Sequence, residues 1–192
     1  MTKKYIIPIE ISSKHIHLSQ KHLNKLFGKG YELTELRYLS QPGEFVAKET
    51  VELINEKNKI ILKIVGPVRK KTQVELSFTD MIKLGLRDLQ LRHSGDIIKS
   101  PELKIKGLKE TIKIKEGVMI ARRHLHCTPE DAKELGIKDK EEVSISIKGE
   151  RPAIFKDISV RVSPKYKLAV HLDRDEGNAV WIDSVGEGRL VK

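Results

Sequence analysis

Two His-x-His motifs are the residues of this sequence best suited to chemistry. His15 and His17 form the first motif, and His124 and His126 form the second. On an extended strand, residues two apart point to the same face, so each pair of imidazoles would project side by side. Such a pair suits a metal ion. A single copy is more often a surface or packed pair, and it is the duplication that favours a metal site.

Each motif runs directly into a predicted helix. Ser19 and Thr128 follow the motifs and are residue types that cap a helix N-terminus. Pro129 then occupies the first helical position of the second helix, where its missing N–H costs nothing. Gly28 and Gly136 mark the expected helix ends. The sequence therefore predicts that both histidine pairs lie at the end of a strand, next to a short capped helix.

The motifs belong to a longer internal repeat. Residues 14–19 match residues 123–128 with an offset of 109, and a weaker match further along has an offset of 96. The weaker match adds one ligand-type residue to each copy, Glu75 in the first and His171 in the second. Three protein ligands and an open position are typical of catalytic zinc. The sequence thus indicates two metal-binding triplets: His15, His17 and Glu75, and His124, His126 and His171.

Other interpretations remain for single residues of these triplets. Taken alone, Glu75 is better explained as a solvated strand carboxylate, and a glutamate could also bridge two metal ions. Cys127 alternates out of phase with the histidines and is expected to be packed in the core. The weaker match also aligns Asp80 with Glu176.

The repeat predicts two related halves, 1–90 and 115–192, joined by a connecting segment, 91–114. We expect the halves to pack about a pseudo-twofold axis, since the short periods of solenoid repeats do not fit. Many short alternating segments and few helical ones favour a mainly β fold with short α-helices, built as barrels or sandwiches. Residues 104–114 are predicted as a strand, residues 173–177 as a turn, and residues 180–185 as the last strand.

Composition narrows the class of protein. The chain has 192 residues, 33% of them charged, and a net charge of +10, which favours anionic partners. Many lysines alternate with Ile and Leu, so a solvated strand face is an equal explanation of this charge. The single cysteine, Cys127, excludes an internal disulfide and indicates a reducing compartment. Without a signal-peptide core or a long apolar run, a cytoplasmic protein with no membrane partner is expected.

Candidate anion ligands lie near the first triplet. Residues 66–69, Gly-Pro-Val-Arg, form a rigid turn that would aim Arg69 inward, and arginine suits bidentate phosphate binding. Gln73, Ser94 and Arg161 are further donors for the same anion. No phosphate-loop signature and no Gly-x-Gly-x-x-Gly motif occurs, so nucleotide binding of those kinds is not supported.

Five motifs, in this order, together resemble the PduL-type phosphate propanoyltransferases. They cover nearly the whole chain: Lys14-His15-Ile16-His17-Leu18-Ser19, Gly66-Pro67-Val68-Arg69 with Thr72-Gln73-Val74-Glu75, Arg92-His93-Ser94-Gly95-Asp96, Ala121-Arg122-Arg123-His124-Leu125-His126, and His171-Leu172-Asp173 through Asn178-Ala179. Members of this family exchange phosphate and coenzyme A on a short acyl group.

The resemblance implies two β-barrel domains capped by short helices, with a dinuclear zinc site between them and one triplet on each metal. It implies that Arg69 binds phosphate, supported by Gln73, Ser94 and Arg161, and that Asn178 contacts coenzyme A. Some members carry an N-terminal extension that targets a bacterial microcompartment. Only fourteen residues precede His15, so we expect no such extension and a free cytoplasmic enzyme of acetate or propionate metabolism. A homo-oligomer is compatible with all of this.

The expected reaction converts propanoyl-CoA or acetyl-CoA and phosphate into acyl phosphate and CoA, reversibly. No Ser or Cys nucleophile with a paired base is evident, which favours direct attack by phosphate. A dinuclear zinc hydrolase is the alternative enzyme, and phosphate dependence separates the two. A basic nucleic-acid-binding protein with structural zinc is a third class. It is disfavoured because no recognition helix or stacking aromatic residues are visible.

Overall fold

The structure is a computed structural model and describes residues 5–87 and 89–191. It is mostly β, with 46% strand and 15% helix, which confirms the predicted fold class. The strands are β1 (Ile7–Ser12), β2 (His15–His17), β3 (Glu35–Tyr38), β4 (Phe45–Asn55), β5 (Asn58–Gly66), β6 (Gln73–Leu76), β7 (Leu91–Arg92), β8 (Leu103–Lys106), β9 (Thr111–Ile114), β10 (Val118–Ala121), β11 (His124–Cys127), β12 (Glu142–Ile147), β13 (Ala153–Val162), β14 (Ala169–Asp173) and β15 (Val185–Val191). The helices are α1 (Gln20–Phe27), α2 (Phe78–Lys83), α3 (Pro129–Leu135) and α4 (Arg174–Ala179). No helix in the described part of the chain is both long and apolar enough to cross a membrane.

The described residues divide into two compact units. One lies within residues 14–121 and is called here the sheet unit. The other lies within residues 1–13 and 122–192 and is called the barrel unit. Each unit has its own hydrophobic core, built mainly from Ile, Leu and Val.

The barrel unit is a closed barrel of six strands in the order β1-β14-β11-β13-β12-β15. Closure comes from β15, which pairs antiparallel with both β1 and β12. Alternation along the strands fills the interior: in β12, Val143, Ile145 and Ile147 are buried while the residues between them are not.

The sheet unit contains nine strands that form a curled half-barrel. Eight lie in the order β7-β10-β6-β2-β5-β4-β8-β9, and β3 pairs with β4 off this path. This path ends at β7 and β9, so the described strands of the sheet unit form an open sheet. The resemblance implied two barrels; the chain has one closed barrel and one half-barrel.

Both units share one arrangement around the histidine motif. In the sheet unit, β2 lies between β5, which runs parallel to it, and β6, which runs antiparallel. In the barrel unit, β11 lies between the parallel β13 and the antiparallel β14. Helices α2 and α4 follow β6 and β14. The units therefore have the related strand order that the internal repeat predicts.

One strand of each unit comes from an unexpected part of the chain. β1 precedes β2 in sequence but pairs with β14 and β15 of the barrel unit. β10 precedes β11 in sequence but pairs with β6 and β7 of the sheet unit. The predicted boundaries, 1–90, 91–114 and 115–192, differ from the observed division because contiguous halves cannot represent this exchange of strands.

Three elements of the structure differ from those predicted from the sequence. Residues 104–114 form the hairpin of β8 and β9 rather than one strand, and the Gly107 N–H donates to the Glu110 carbonyl in its turn. The predicted turn at 173–177 is the start of α4, and the last strand begins at Val185. The helix forms because the side chains of Asp173 and Glu176 each accept the other's backbone N–H, a capping box.

Candidate metal centres

The central residue of each histidine motif fixes which way the histidines face. Ile16 and Leu125 are completely buried in the cores of their units. Burying such a side chain contributes about 1.5–3 kcal/mol. Because neighbouring strand residues point to opposite faces, this burial turns both histidines of each motif to the face opposite the core.

In the sheet unit, the antiparallel pairing of β2 and β6 brings the first triplet together. His15 lies opposite Glu75 in the register, and His17 lies opposite Gln73. The His15 and His17 ring centroids are 4.9 Å apart, and His15 Nε2 is 3.8 Å from Glu75 Oε2. One ligand atom from each of His15, His17 and Glu75 lies within 4.8 Å of the others. These three residues are called the sheet-unit triad.

In the barrel unit, β11 and β14 build the second triplet in the same way. His124 lies opposite His171 in the antiparallel register. Ring centroids are 4.6 Å apart for His124 and His126, 5.0 Å for His124 and His171, and 4.9 Å for His126 and His171. Their ligand atoms also lie within 4.8 Å of one another. These residues are called the barrel-unit triad. In both units, the third residue of each predicted triplet thus lies beside the other two.

Both triads fit a zinc ion by the chemistry of their donors. Imidazole nitrogen and carboxylate oxygen are common zinc ligands, and three of them leave one position open. Ligand atoms around tetrahedral zinc lie about 3.4 Å apart, given bond lengths of about 2.0–2.1 Å. The observed limit of 4.8 Å therefore requires a contraction of at most about 1.4 Å, within the reach of side-chain rotation.

Backbone carbonyls set the tautomer of two of the histidines. His17 Nδ1 lies 2.9 Å from the Val65 carbonyl oxygen, and His124 Nδ1 lies 2.9 Å from the Arg122 carbonyl oxygen. A carbonyl only accepts hydrogen bonds, so each Nδ1 carries the proton and Nε2 has the lone pair that a metal needs. Burial lowers the pKa of His17 well below its ordinary value, and the nearby His15 and Arg69 lower it further. His17 is therefore neutral at pH 7, the form that binds a metal.

A carboxylate lies next to the third ligand of the barrel-unit triad. Glu10 on β1 lies opposite His171 in the parallel register, and its Oε2 is 3.7 Å from His171 Nδ1. A carboxylate next to the second ring nitrogen is a common feature of metal-binding histidines. Sequence reasoning missed Glu10, and no local signal could have revealed it, because 161 positions separate it from His171.

Neutral donors support the third ligand of the sheet-unit triad. The Gln73 amide and the Ser94 hydroxyl both donate to Glu75 Oε1, the latter at 2.7 Å. The Gln73 amide also donates to Ser94 Oγ at 2.8 Å, and the Gly95 N–H donates to Gln73 Oε1 at 2.8 Å. Gln73 and Ser94 were expected to contact phosphate. Here their donors hold Glu75 with its other oxygen towards His15.

Arg69 lies beside the sheet-unit triad. Its backbone N–H donates to the Leu18 carbonyl at 2.8 Å, which attaches it next to the histidine motif. Its positive charge is one cause of the lowered pKa of His17. Arg69 Nη2 donates to Glu44 Oε1 at 2.8 Å, a partner that the sequence did not suggest. The guanidinium has five N–H groups, so donors remain for an anion.

The other predicted site residues lie in the barrel unit. Arg161 is half-buried on β13 and is the register partner of His126. Asn178 is exposed in the last turn of α4. Tyr166 was not predicted: its ring stacks on His126 with centroids 4.0 Å apart and planes 12° from parallel. Cys127 is fully buried as predicted, and burial raises the pKa of its thiol to about 11.

These observations define a two-unit β protein with a duplicated triad of side chains that could hold a metal ion. The model of the phosphate propanoyltransferase family matches residues 8–183. The chain is 41% identical to the Phosphate propanoyltransferase of Listeria monocytogenes over 187 residues, which are 97% of this chain and 87% of that protein. It is 43% identical to the one from Sebaldella termitidis over 96% of this chain and 87% of the relative. It is 46% identical to the one from Priestia megaterium over 96% and 85%.

The chain therefore belongs to the phosphate propanoyltransferase family, as the motifs of the sequence implied. It is an enzyme of the transferase class.

Proposed function

We propose that this enzyme exchanges coenzyme A and inorganic phosphate on a short acyl group, with one zinc ion in each unit. The substrates are propanoyl-CoA or acetyl-CoA and phosphate, and the products are acyl phosphate and free CoA. The observation that carries the metal part of this proposal is the repeated register, in which a third ligand lies opposite the first histidine of each motif. Family membership supports the acyl exchange.

Arg69 is the residue that holds phosphate. Its anchored backbone places the guanidinium near His17, and its planar fork matches two phosphate oxygens. A phosphate held in this way is positioned for attack, which converts a chance encounter into an oriented reaction. Binding requires Arg69 to direct donors to phosphate while one stays with Glu44.

The reaction balances as a direct exchange at the thioester carbonyl. A phosphate oxygen forms a bond to the carbonyl carbon, the carbon–sulfur bond breaks, and the thiolate of CoA leaves with the electron pair. Zinc, when bound, supplies a Lewis acid for the carbonyl and a ligand site for the departing thiolate. An acyl-enzyme on Cys127 is disfavoured because that thiol is fully buried.

The net charge of +10 suits two anionic substrates. Arg161, near His126 in the register, and Asn178, exposed on α4, are the residues we assign to supporting contacts with phosphate and with CoA. The single cysteine supports a cytoplasmic location as part of the same proposal.

Phosphate-dependent release of the CoA thiol tests the proposal. Zinc-loaded enzyme is given propanoyl-CoA or acetyl-CoA, with and without phosphate, and the free thiol is measured together with acyl phosphate. We expect release only with phosphate, and release slowed by more than about a hundredfold in His124→Ala. Release of thiol without phosphate would instead identify a zinc hydrolase, and no release from either thioester would contradict the proposed reaction.

A further inference from the structure

An ion pair stands next to each triad, in equivalent positions of the repeat. Lys14, immediately before His15, lies with its Nζ 3.0 Å from Asp80 Oδ1. Arg123, immediately before His124, lies with its Nη1 2.9 Å from Glu176 Oε1. We call these the sheet-unit pair and the barrel-unit pair. Because the two offsets of the sequence repeat also relate these residues, the pairs are duplicated together with the triads.

The two carboxylates hold equivalent places in the fold. Asp80 is the third residue of α2, and Glu176 is the third residue of α4. Each belongs to a capping box, and one of its oxygens accepts the N–H of the N-cap residue, at 3.4 Å in α2 and 2.9 Å in α4. The other oxygen takes the basic side chain. Each carboxylate therefore joins the start of its helix to the start of the histidine strand.

The N-cap residue of each helix lies close in sequence to the third ligand of the triad. Ser77 comes two residues after Glu75, and Asp173 comes two residues after His171. Each ion pair consequently links the strand with two ligands to the strand with the third. The link lies outside the backbone ladder of these strands, which has only three paired positions in each unit.

Burial of Ile16 and Leu125 sets the face that each histidine strand presents, but the ladder that joins the two ligand-bearing strands of each unit is short. A slip of one residue would turn both histidines to the opposite face and move the third ligand out of line. Both carboxylates are shielded from water, Asp80 more than Glu176: the Asp80 side chain is buried, at 6% exposed, and the Glu176 side chain is half-buried, at 21% exposed. A buried carboxylate that loses its cation is left uncompensated, so displacement of either strand is penalised.

From this geometry we propose that the sheet-unit pair and the barrel-unit pair are positioning elements for metal binding, each acting on the triad of its own unit. The inference rests on the proposed zinc sites. Lys14, Asp80, Arg123 and Glu176 touch no metal in this scheme. They hold two ligand-bearing strands in the register that a zinc ion requires.

The two pairs should differ in strength. Arg123 has further contacts: its Nε donates to the Lys156 carbonyl at 2.6 Å, and its guanidinium lies 5.4 Å from the centre of the Phe155 ring. Lys14 ends in a compact ammonium with Asp80 as its ion-pair partner. We therefore expect the sheet-unit triad to depend more on its ion pair than the barrel-unit triad does.

Zinc affinity measured one site at a time tests the inference. In a His124→Ala background, where only the sheet-unit triad remains complete, Asp80→Asn should weaken zinc binding about tenfold, the scale of outer-shell partners. In a His15→Ala background, Asp80→Asn should leave zinc binding within about twofold of its parent. Glu176→Gln should show the opposite pattern, with a smaller loss at the barrel-unit triad than Asp80→Asn causes at the sheet-unit triad. Affinity is measured by competition with a chromogenic chelator on each purified variant.

Controls separate positioning from general stability. Glu102→Gln removes an ion pair with Lys113 at the surface of the sheet unit, and Asp183→Asn removes one with Arg174 in the barrel unit. Neither variant should change zinc affinity. Lys14→Arg keeps the charge and should retain affinity. If Asp80→Asn fails to fold, Lys14→Met tests the same pair from its more exposed side.

Three outcomes would overturn the inference: unchanged zinc affinity in Asp80→Asn and Glu176→Gln, an equal loss at both triads from one variant, or a loss as large in the control variants. Failure of the proposed zinc sites is a separate result, since wild-type enzyme would then bind no zinc, and failure of the proposed reaction would appear in the thiol-release assay without any change in zinc affinity. Loss confined to the triad of the altered unit supports the inference.

Discussion

In the sheet unit the carboxylate belongs to the triad itself, as Glu75, whereas in the barrel unit it lies behind the triad, as Glu10 beside His171. The strand arrangement is the same in both units, and so is the register that places the third ligand. The difference therefore comes from side chains alone. Each candidate site has one carboxylate, which would be a ligand in the sheet unit and would lie behind a ligand in the barrel unit.

This difference has an electrostatic consequence. A carboxylate ligand places its negative charge on the metal, while a carboxylate behind an imidazole acts through the ring and makes it a stronger ligand. We therefore expect a zinc ion in the barrel unit, held by three neutral imidazoles, to be the stronger Lewis acid. The charge of Arg69 beside His17 distinguishes the sheet unit further, because it adds a cation next to the triad that already contains a carboxylate.

Removing one histidine from each triad should have the largest effect. His15→Ala and His124→Ala should each reduce the zinc content from two ions to one. Each should lower acyl transfer by more than about a hundredfold, beyond the range found for outer-shell partners. Metal analysis of the purified variants and the thiol-release assay measure both results. A variant that keeps two tightly bound ions would show that its triad is not a metal site.

Arg69→Ala should have the next largest effect on activity, and the effect should appear in kcat/KM for phosphate. Loss of charged hydrogen bonds of about 1.5–3 kcal/mol should lower kcat/KM for phosphate by about 10- to 150-fold while the zinc content stays at two. Arg161→Ala tests the corresponding contribution of the barrel unit and should have a smaller effect. Arg37→Ala, an exposed arginine on β3, is the control and should change nothing. If Arg161→Ala had the larger effect, the assignment of phosphate to the sheet unit would be wrong.

The triads could be predicted because their signals are local or repeated. The spacing of His15 and His17 sets their common face, and the repeat directed attention to Glu75 and His171. Helix α4 had a usable signal, Asp173 followed three residues later by Glu176, but its acidic composition was interpreted as a turn. The capping box, and not the acidic composition, determines that this segment is a helix.

Other features depend on pairings between distant strands. The exchange of β1 and β10 between the units cannot be inferred from two similar halves of a sequence. Because of this exchange, Glu10 on β1 lies opposite His171 in the barrel unit. At the equivalent position of the sheet unit, Met119 on β10 lies opposite Glu75. The hydrogen bonds of Gln73 and Ser94 to Glu75 are equally beyond sequence reasoning, because they depend on where the loop after β7 lies.

Substitution of residues next to a metal ligand should have intermediate effects on zinc affinity, each limited to one triad. Glu10→Gln should weaken zinc binding to the barrel-unit triad about tenfold and leave the sheet-unit triad unchanged, since the carboxylate no longer supports His171. Ser94→Ala should do the reverse, because Glu75 loses the hydrogen bond that the Ser94 hydroxyl donates to it. Chelator competition in the single-site backgrounds measures both variants. Equal effects of Glu10→Gln on both triads would remove the distinction drawn between them.

Substitution of Cys127 should have the smallest effect on activity. Cys127 occupies the position that Leu18 takes in the sheet unit, and both side chains are fully buried after the histidine motif. Burial raises the pKa of the Cys127 thiol to about 11, so at pH 8 only about one molecule in a thousand has the thiolate form. We expect no reaction with a thiol reagent in the folded enzyme and one thiol per chain after unfolding.

Cys127→Ala then tests direct attack by phosphate against an acyl-enzyme. The variant should lose about 1 kcal/mol of stability through reduced packing and should keep its activity within about twofold. Because the same position is a leucine in the sheet unit, a packing role predicts that Cys127→Leu retains activity wherever the barrel core accepts its volume. If Cys127→Ala bound two zinc ions and melted normally but no longer released CoA, the thiol would have to take part in the chemistry. Direct attack by phosphate would then be excluded.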